Sequence, residues 1–408
     1  MKQICFYFQV HQPYRVSKYT VFDLESEKQF FEGPERVTNK AVFEKVAHKC
    51  YLPSNMLLLE LIKLHPEFKI SFSITGTFLE QCMEYGEIGK KVLKSFKDLA
   101  DTGNVEFLAE TYYHSFAALF SRPEFARQVK KHTNLINKLF GLKPKVFRNT
   151  ELVYNNDIAY LANKLGFKGV LLEGWDPVLQ GKSPNLTYRP PKYVVPNEKF
   201  GLLLKNYKLS DDIAFRFSNK HWSEHPLTVE KFVNFVYNNY GDHINLFMDF
   251  ETFGEHQWED TGIFEFMRHL PDACLKNHIK FRTPSESLND LEHAEELDVP
   301  HHISWADMER DMSAWLENSM QQSSMNHIFS MEKKVMQTRD NKLKDIWRKL
   351  QTSDHFYYMS TKYWSDGDVH KYFSPFETPY DAYISYRNIL AKFEDLIENK
   401  INKKCQDR

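Results

Sequence analysis

Up to about residue 290, short apolar runs typical of β-strands alternate with segments whose apolar residues recur at helical spacing. This alternation favours parallel strands, because parallel neighbours need a long crossover connection, which is usually a helix. The sequence therefore predicts an α/β fold. The predicted strands are Ile4–Val10, Lys69–Ile74, Val105–Ala109, Lys145–Arg148, Lys168–Leu172, 244–248 and 279–281.

Two regions depart from this alternation. Residues 176–225 are rich in proline and predict an irregular excursion, partly strand, over one end of a barrel. Beyond about residue 300 strand patterns mostly vanish, and we expect a long amphipathic helix over 326–350 and a last helix from Thr378 to about residue 399. We therefore expect an α/β domain over 1–295, with the irregular insertion, and an α-helical domain over 296–408.

Bulk properties exclude several classes of protein. A formal charge of −2 gives no electrostatic basis for binding nucleic acid. No apolar run of about 18 residues predicts a membrane span, and the first residues form a strand pattern rather than a signal peptide, so we expect a cytoplasmic protein. The five scattered cysteines contain no C-x-x-C pair, and the sequence indicates no cofactor and no metal site. Aromatic residues make up 15% of the chain, which suits either a Phe-rich core or a cleft that stacks sugar rings.

Acidic residues follow several of the predicted strands. Asp249 and Glu251 end the run 244–248, and residues two apart on a strand point to the same side. In parallel barrels the chemistry lies at the carboxyl ends of the strands. Carboxylates crowded on one rim repel, which separates their pKa values, and glycoside hydrolysis needs one ionised and one protonated carboxyl group. Arg148 and His11 are cations that can hold a nucleophile ionised. Strand ends that carry candidate groups are His11–Gln12, Thr75, Glu106 with Glu110, Arg148 with Glu151, Glu173 with Trp175, and Asp249 with Glu251.

Five separated segments, in the expected order, resemble the motifs of glycoside hydrolase family 57, in its α-amylase-like branch. One of them contains His-Gln-Pro, and another is Phe-Met-Asp-Phe-Glu-Thr-Phe-Gly-Glu-His. Together the five segments span most of the chain. His-Gln-Pro alone is a weak signal, whereas five motifs in register are a specific one. The segments are Phe8–Pro13, Gly103–Ser115, Phe147–Leu152, Phe247–His256 and Thr352–Tyr358.

The resemblance implies an incomplete seven-stranded (β/α) barrel with a C-terminal helical domain. It also implies retaining hydrolysis or transfer at α-glucosidic bonds of an α-glucan or maltooligosaccharide. By motif, Glu151 is the nucleophile and Asp249 the general acid/base, and the residues lining the donor sugar site are His11, Glu106 and Asp354. His256 stands where transferase members tend to carry Trp, so hydrolysis and transfer remain alternatives.

Other candidates have a structural reading beside the functional one. Glu251 is expected to bind a sugar hydroxyl or tune Asp249, or else to form a structural pair. Trp175 can stack on sugar or lie in the core, and His256 can contact substrate or stay on the rim. Glu110 is read as an Arg127 partner, a helix cap or a substrate ligand, and Trp305 as core.

Two other functions compete with the glycosidase. A barrel that binds glucan with weak catalysis fits the same acid pair, because a fold does not guarantee turnover. A metal-dependent polysaccharide deacetylase needs an Asp and two His on one metal, and the sequence has no matching His pair beside an acid.

Overall fold

The computed structural model of the protein describes residues 1–34, 37–362 and 374–406, with side chains to Lys403. Its strands are β1 Gln3–Val10, β2 Ile70–Ile74, β3 Val105–Phe107, β4 Phe147–Arg148, β5 Gly169–Glu173, β6 Tyr188–Arg189, β7 Gly201–Lys205, β8 His243–Asp249, β9 Lys280–Phe281 and β10 Glu295–Glu296. Its α-helices are Asn39–Val46, Leu52–Leu64, Gly76–Glu84, Gly86–Ala100, Ala117–Phe120, Arg122–Phe140, Asn156–Lys164, Asp176–Leu179, Tyr207–Ala214, Val229–Asn238, Ile263–Lys276, Pro284–Ser287, Ser313–Leu316, Ser319–Ser330, Glu332–Thr338, Asn341–Lys349, Asp354–Tyr357 and Pro379–Gln406, and one π-helical turn, Ala47–Tyr51, joins the first two.

Seven parallel strands form the barrel. One sheet has the order β3–β2–β1–β8, and the other contains β7–β5–β4. A parallel bridge between Ala109 and Phe147 connects the chain after β3 to β4. On the other side, the Asn206 amide donates to the Asn245 carbonyl at 2.8 Å, and so joins the end of β7 to β8. Because each of these two junctions is short and neither is a full ladder, the ring is an incomplete seven-stranded barrel.

Alternation of side chains along the strands fills the barrel in layers. The middle layer is an apolar cluster to which six strand segments contribute Tyr7, Leu108, Val146, Leu171, Leu203 and Phe247. Two residues further along each of these segments, towards its carboxyl end, the side chain on the same face is polar. This polar layer consists of Gln9, Glu110, Arg148, Glu173, Lys205 and Asp249, with Ser73 from β2. The barrel therefore presents a charged layer, supported by an apolar one, at the end where loops are longest.

The C-terminal helices pack against the outside of the barrel. A single apolar cluster contains Phe147 and Leu204 from the strands together with Trp315, Trp347 and Tyr386 from the helices. Trp347 is fully buried, and its indole N–H donates to the Ile328 carbonyl at 2.7 Å. Burying side chains of this size contributes roughly 2–3 kcal/mol each, which is enough to hold the two parts together.

The structure corrects three expectations. The region predicted as irregular contains a barrel strand, β7, and the helix Tyr207–Ala214. The predicted strand at 279–281 is β9, which pairs with the first residues of β1 and lies outside the ring. The single helix predicted over 326–350 is several shorter helices, with Arg339 at φ 52° at one break, because a left-handed residue cannot continue an α-helix.

Candidate active site

Glu151 lies in a tight turn just beyond β4. It has φ 57° and ψ 28°, and the next residue, Leu152, is also left-handed at φ 50°. Such backbone is costly for residues other than glycine and persists only where the surroundings hold it. The turn directs the Glu151 carboxylate to two donors. His114 Nε2 lies 3.0 Å from Oε1, and the Trp305 indole N–H donates to Oε2 at 2.8 Å.

The environment of Glu151 favours its ionised form. Burial opposes ionisation, but the hydrogen bond from His114 and the positive charges of His114 and Arg148 hold the pKa of Glu151 below its ordinary value. His114 also contacts Glu110, with Nδ1 3.3 Å from Oε2. Burial works against a charged imidazole, yet the hydrogen bonds to Glu110 and Glu151 raise the pKa of His114 to about 9. His114 is therefore an imidazolium at neutral pH and donates to both carboxylates.

Asp249 lies at the end of β8, in register with Gln9 of β1. Burial, and then the negative charge of Glu151, raise the pKa of Asp249 to about 6. Arg148 and Lys205 partly offset this rise. The two carboxyl groups interact electrostatically, and their pKa values are displaced in opposite directions. This arrangement keeps one group ionised as a nucleophile and the other protonated as an acid.

A second pair of residues joins the barrel to the C-terminal part. His11 Nε2 lies 2.9 Å from Asp354 Oδ2, and His11 Nδ1 lies 3.0 Å from the Thr75 hydroxyl. The His11 ring stacks on His114, with ring centroids 4.0 Å apart. Burial and the positive charge of His114 lower the pKa of His11. Burial would raise the pKa of Asp354, but the charge of His11 and its hydrogen bond outweigh this effect and hold that pKa below its ordinary value. His11 and Asp354 retain partial exposure and so form part of the accessible surface of the site.

Glu251 occupies a buried position behind Asp249. The Tyr51 hydroxyl donates to Glu251 at 2.5 Å and accepts from the Gln12 side-chain amide at 3.0 Å. Burial and the charge of Asp249 raise the pKa of Glu251 to about 8. Its contacts fit the expected role of tuning Asp249.

Three predicted residues lie apart from this cluster. Glu106 lies at the amino-terminal side of the barrel, on the same face of the strand as Glu110 but four residues earlier, and accepts from the Ser285 amide at 2.8 Å; its role as a sugar ligand stays a prediction. Trp175 is half-buried and packs against the apolar cluster shared with the C-terminal helices. His256 follows Glu251 in a closed turn, where burial lowers its pKa to about 4; its contact with substrate stays a prediction.

Sequence reasoning undervalued Glu110, His114 and Trp305. Glu110 is fully buried, accepts from Ser73 and Gln9, and has no contact with Arg127, which pairs with Glu124 and Glu332. The i, i+4 spacing of Glu110 and His114 was an available signal. Trp305 gave no such signal, because its spacing to Met308 and Met312 resembles a helix, whereas residues 304–312 form a loop.

Within 1–34, 37–362 and 374–406, no group of three or more His, Cys, Asp or Glu side chains is arranged to hold a metal ion. In the same ranges, no helix has both the length and the apolarity needed to cross a membrane.

Comparisons with known proteins identify the family. Residues 5–300 match the model of glycosyl hydrolase family 57, and the chain belongs to this family. A protein of Methanocaldococcus jannaschii named "Putative alpha-amylase" is 45% identical over 418 residues, covering 99% of this chain and 87% of that protein.

The solved structures that are similar to this chain in fold include two enzymes. The branching enzyme of Pyrococcus horikoshii superposes with a TM-score of 0.65 at 15% identity, over 96% of each chain. The 4-alpha-glucanotransferase of Thermococcus litoralis superposes with a TM-score of 0.63 at 18% identity, over 87% of this chain and 56% of that chain. At these identities the likeness establishes the fold, an incomplete (β/α) barrel with helices after it.

Proposed function

We propose that this chain cleaves α-glucosidic bonds of α-glucans or maltooligosaccharides with retention of configuration. Glu151 is the nucleophile and Asp249 the general acid/base. The observation that carries the proposal is the opposite displacement of their pKa values: Glu151 below its ordinary range and Asp249 at about 6. Family membership and the relatives named for amylase, branching and glucanotransferase activity support the substrate class.

In the first step, the Glu151 carboxylate attacks the anomeric carbon while the protonated Asp249 gives its proton to the glycosidic oxygen. The leaving glucan departs with that proton, and a β-linked glycosyl ester forms on Glu151. In the second step, Asp249 takes a proton from water or from a glucan hydroxyl, which attacks the same carbon and releases Glu151. Water as acceptor gives hydrolysis, and a sugar hydroxyl gives transfer.

Neighbouring residues support these roles. The His114 imidazolium holds Glu151 ionised and, through Glu110, is itself fixed in orientation. His11 and Asp354 are positioned to bind hydroxyls of the donor sugar, because both keep partial exposure beside the His114 ring. Arg148 is fully buried and adds positive charge beneath both carboxyl groups.

The test is Glu151→Gln, which keeps the size of the side chain and removes the nucleophile. We expect turnover of maltoheptaose to fall by at least about 10³-fold, with oligosaccharide binding retained. The matched control is Glu106→Gln, a Glu of the same barrel at its amino-terminal side, which should keep turnover within about threefold. Near wild-type turnover in the Glu151 variant would rule out the assignment, and the product lengths formed by the wild type separate hydrolysis from transfer.

A further inference from the structure

Residues 304–312, here called the Trp305 loop, bring a side chain from outside the barrel to Glu151. Before the loop begins, Ile303 forms a bridge with Tyr154, just after the Glu151 turn. The Trp305 ring then packs on the apolar layer of the barrel. Arg148 and Lys205 lie over this ring, at 5.0 and 5.4 Å from its centre. The indole N–H points to Glu151 Oε2 at 2.8 Å.

The other end of the loop is fixed by a buried ion cluster. Arg310 Nη1 lies 3.3 Å from Glu173, and its Nη2 lies 3.8 Å from Asp211. Lys205 joins the same two acids, at 3.5 and 3.3 Å. The Arg310 guanidinium also lies over the Tyr207 ring at 4.3 Å. Because Glu173 is buried and Arg310 nearly so, these contacts are screened far less than surface ion pairs.

The backbone of the loop is held under strain. Asp307 and Arg310 have φ of 54° and 51°, in the left-handed region that favours glycine. Ser304 closes the loop by donating through its amide to the Arg310 carbonyl and through its hydroxyl to the Asp311 carbonyl. Lys362 binds Asp307 and Glu309, both at 2.9 Å. Left-handed residues at two positions of a short loop persist only where such anchors determine the conformation.

We propose that Trp305 is a positioning residue for Glu151, and that Arg310 acts through Trp305 by fixing the loop. The proposal rests on the proposed function, in which Glu151 is the nucleophile. The terminal torsion of a Glu side chain is broad, so one hydrogen bond leaves its carboxylate free to rotate. His114 and Trp305 hold different oxygens of Glu151, and the pair fixes the plane of the carboxylate. Attack needs this plane held to within roughly 10–20°.

A consequence concerns the two parts of the chain. Glu151, His114 and Asp249 come from the barrel, but the second donor to Glu151 comes from residue 305, beyond the last strand, β10. Orientation of the nucleophile therefore depends on docking of the C-terminal part through Arg310.

The experiment is a double-mutant cycle on kcat, with maltoheptaose as substrate. Trp305→Phe removes the N–H and keeps an aromatic ring, and losing a hydrogen bond to a charged group should lower kcat by roughly 10- to 100-fold with KM changed less than about threefold. Trp305→His, which keeps a ring N–H, should recover part of this loss. Arg310→Gln alone should lower kcat by roughly 5- to 50-fold, and in the Trp305→Phe background it should lower kcat by less than about twofold further.

The control for loss of an arginine is Arg216→Gln. Arg216 lies just beyond the helix Tyr207–Ala214, which carries Asp211, and it pairs with Asp212 of that helix. This substitution should leave kcat within about twofold. A second readout is the acid limb of the kcat/KM profile, which should move to higher pH in Trp305→Phe because Glu151 loses a donor that favours its ionised form. Melting curves of each variant show whether it folds. If only the Trp305→His variant folds, the positioning role is tested by its kcat relative to wild type and by the position of the acid limb of its kcat/KM profile.

Outcomes separate this inference from the function on which it rests. A wild type that turns over no glucan counts against the proposed function. With an active wild type, a folded Trp305→Phe variant within about threefold of wild-type kcat overturns the positioning role. Equal effects of Arg310→Gln in the wild-type and Trp305→Phe backgrounds overturn the proposal that Arg310 acts through Trp305.

Discussion

Replacing Asp249 by Asn should stabilise the protein at neutral and alkaline pH. The folded state raises the pKa of Asp249 from 3.8 to about 6, so it opposes ionisation of this group by about 2 pH units. At 1.36 kcal/mol per unit, the ionised side chain costs about 3 kcal/mol of folding free energy. Asn has nearly the same shape and carries no charge, so Asp249→Asn removes this cost.

The sign follows from linkage. Because the folded pKa lies above the unfolded one, the wild type keeps its full stability below pH 3.8 and loses it as pH rises through about 6. The gain in Asp249→Asn should therefore be about 0.5 kcal/mol at pH 4 and about 3 kcal/mol at pH 8. The Glu151 charge is the second cause of the shift, so the gain at pH 8 should shrink when the comparison is repeated in a Glu151→Gln background.

The assay is urea unfolding of wild type and variant, read by fluorescence and circular dichroism at pH 4, 6 and 8. An exposed control, Asp260→Asn, should change the free energy of unfolding by less than about 0.5 kcal/mol at each pH. An Asp249→Asn variant that is no more stable than wild type at pH 8, or whose gain grows as pH falls, would refute the reasoning.

Three further predictions concern activity. The kcat/KM profile should be bell-shaped: it rises with ionisation of Glu151 below pH 4.5 and falls about tenfold per unit above about pH 6 as Asp249 loses its proton, and a flat profile to pH 8 would contradict these roles. His114→Gln should move the acid limb upwards, because Glu151 loses its imidazolium donor, and an unmoved limb would exclude that role. Glu106→Gln keeps an oxygen that accepts from the Ser285 amide and removes a charge whose formation burial opposes, so we expect the urea midpoint at neutral pH not to fall and KM for maltoheptaose to change less than about twofold; a large rise in KM would support Glu106 as a sugar ligand.

Local patterns accounted for much of the fold. The strands β1, β2, β5 and β8 are rich in apolar residues, as buried parallel strands are, and their bounds differ little from those predicted. The capping box at Thr283 and the left-handed Gly141 after the helix Arg122–Phe140 appear where turn and cap chemistry placed them. The strand β7 was missed because its three leucines follow a segment containing Pro190, Pro191 and Pro196, which predicts irregular chain.

The site was predictable only in part. Strand-end acids and the family resemblance brought Asp249, Glu251, His11 and Asp354 into one region, because parallel strands end on one face. Choosing between Glu106 and Glu110 required knowing which of them lies at the carboxyl end of the barrel, since both lie on the same face of one segment. The donor from Trp305 depends on a loop whose conformation is set by tertiary ion pairs, which leave no periodic signal in the sequence.

The central claim is that Glu151 becomes covalently bonded to the substrate, and trapping that ester tests it most directly. The enzyme is incubated with 5-fluoro-α-glucosyl fluoride, whose second fluorine slows breakdown of the glycosyl ester, and then digested for peptide mass spectrometry. We expect one added glycosyl group on the peptide that contains Glu151, and none in Glu151→Gln. An adduct on Asp249, or normal turnover of the reagent with no adduct on Glu151 at any time, would contradict the account.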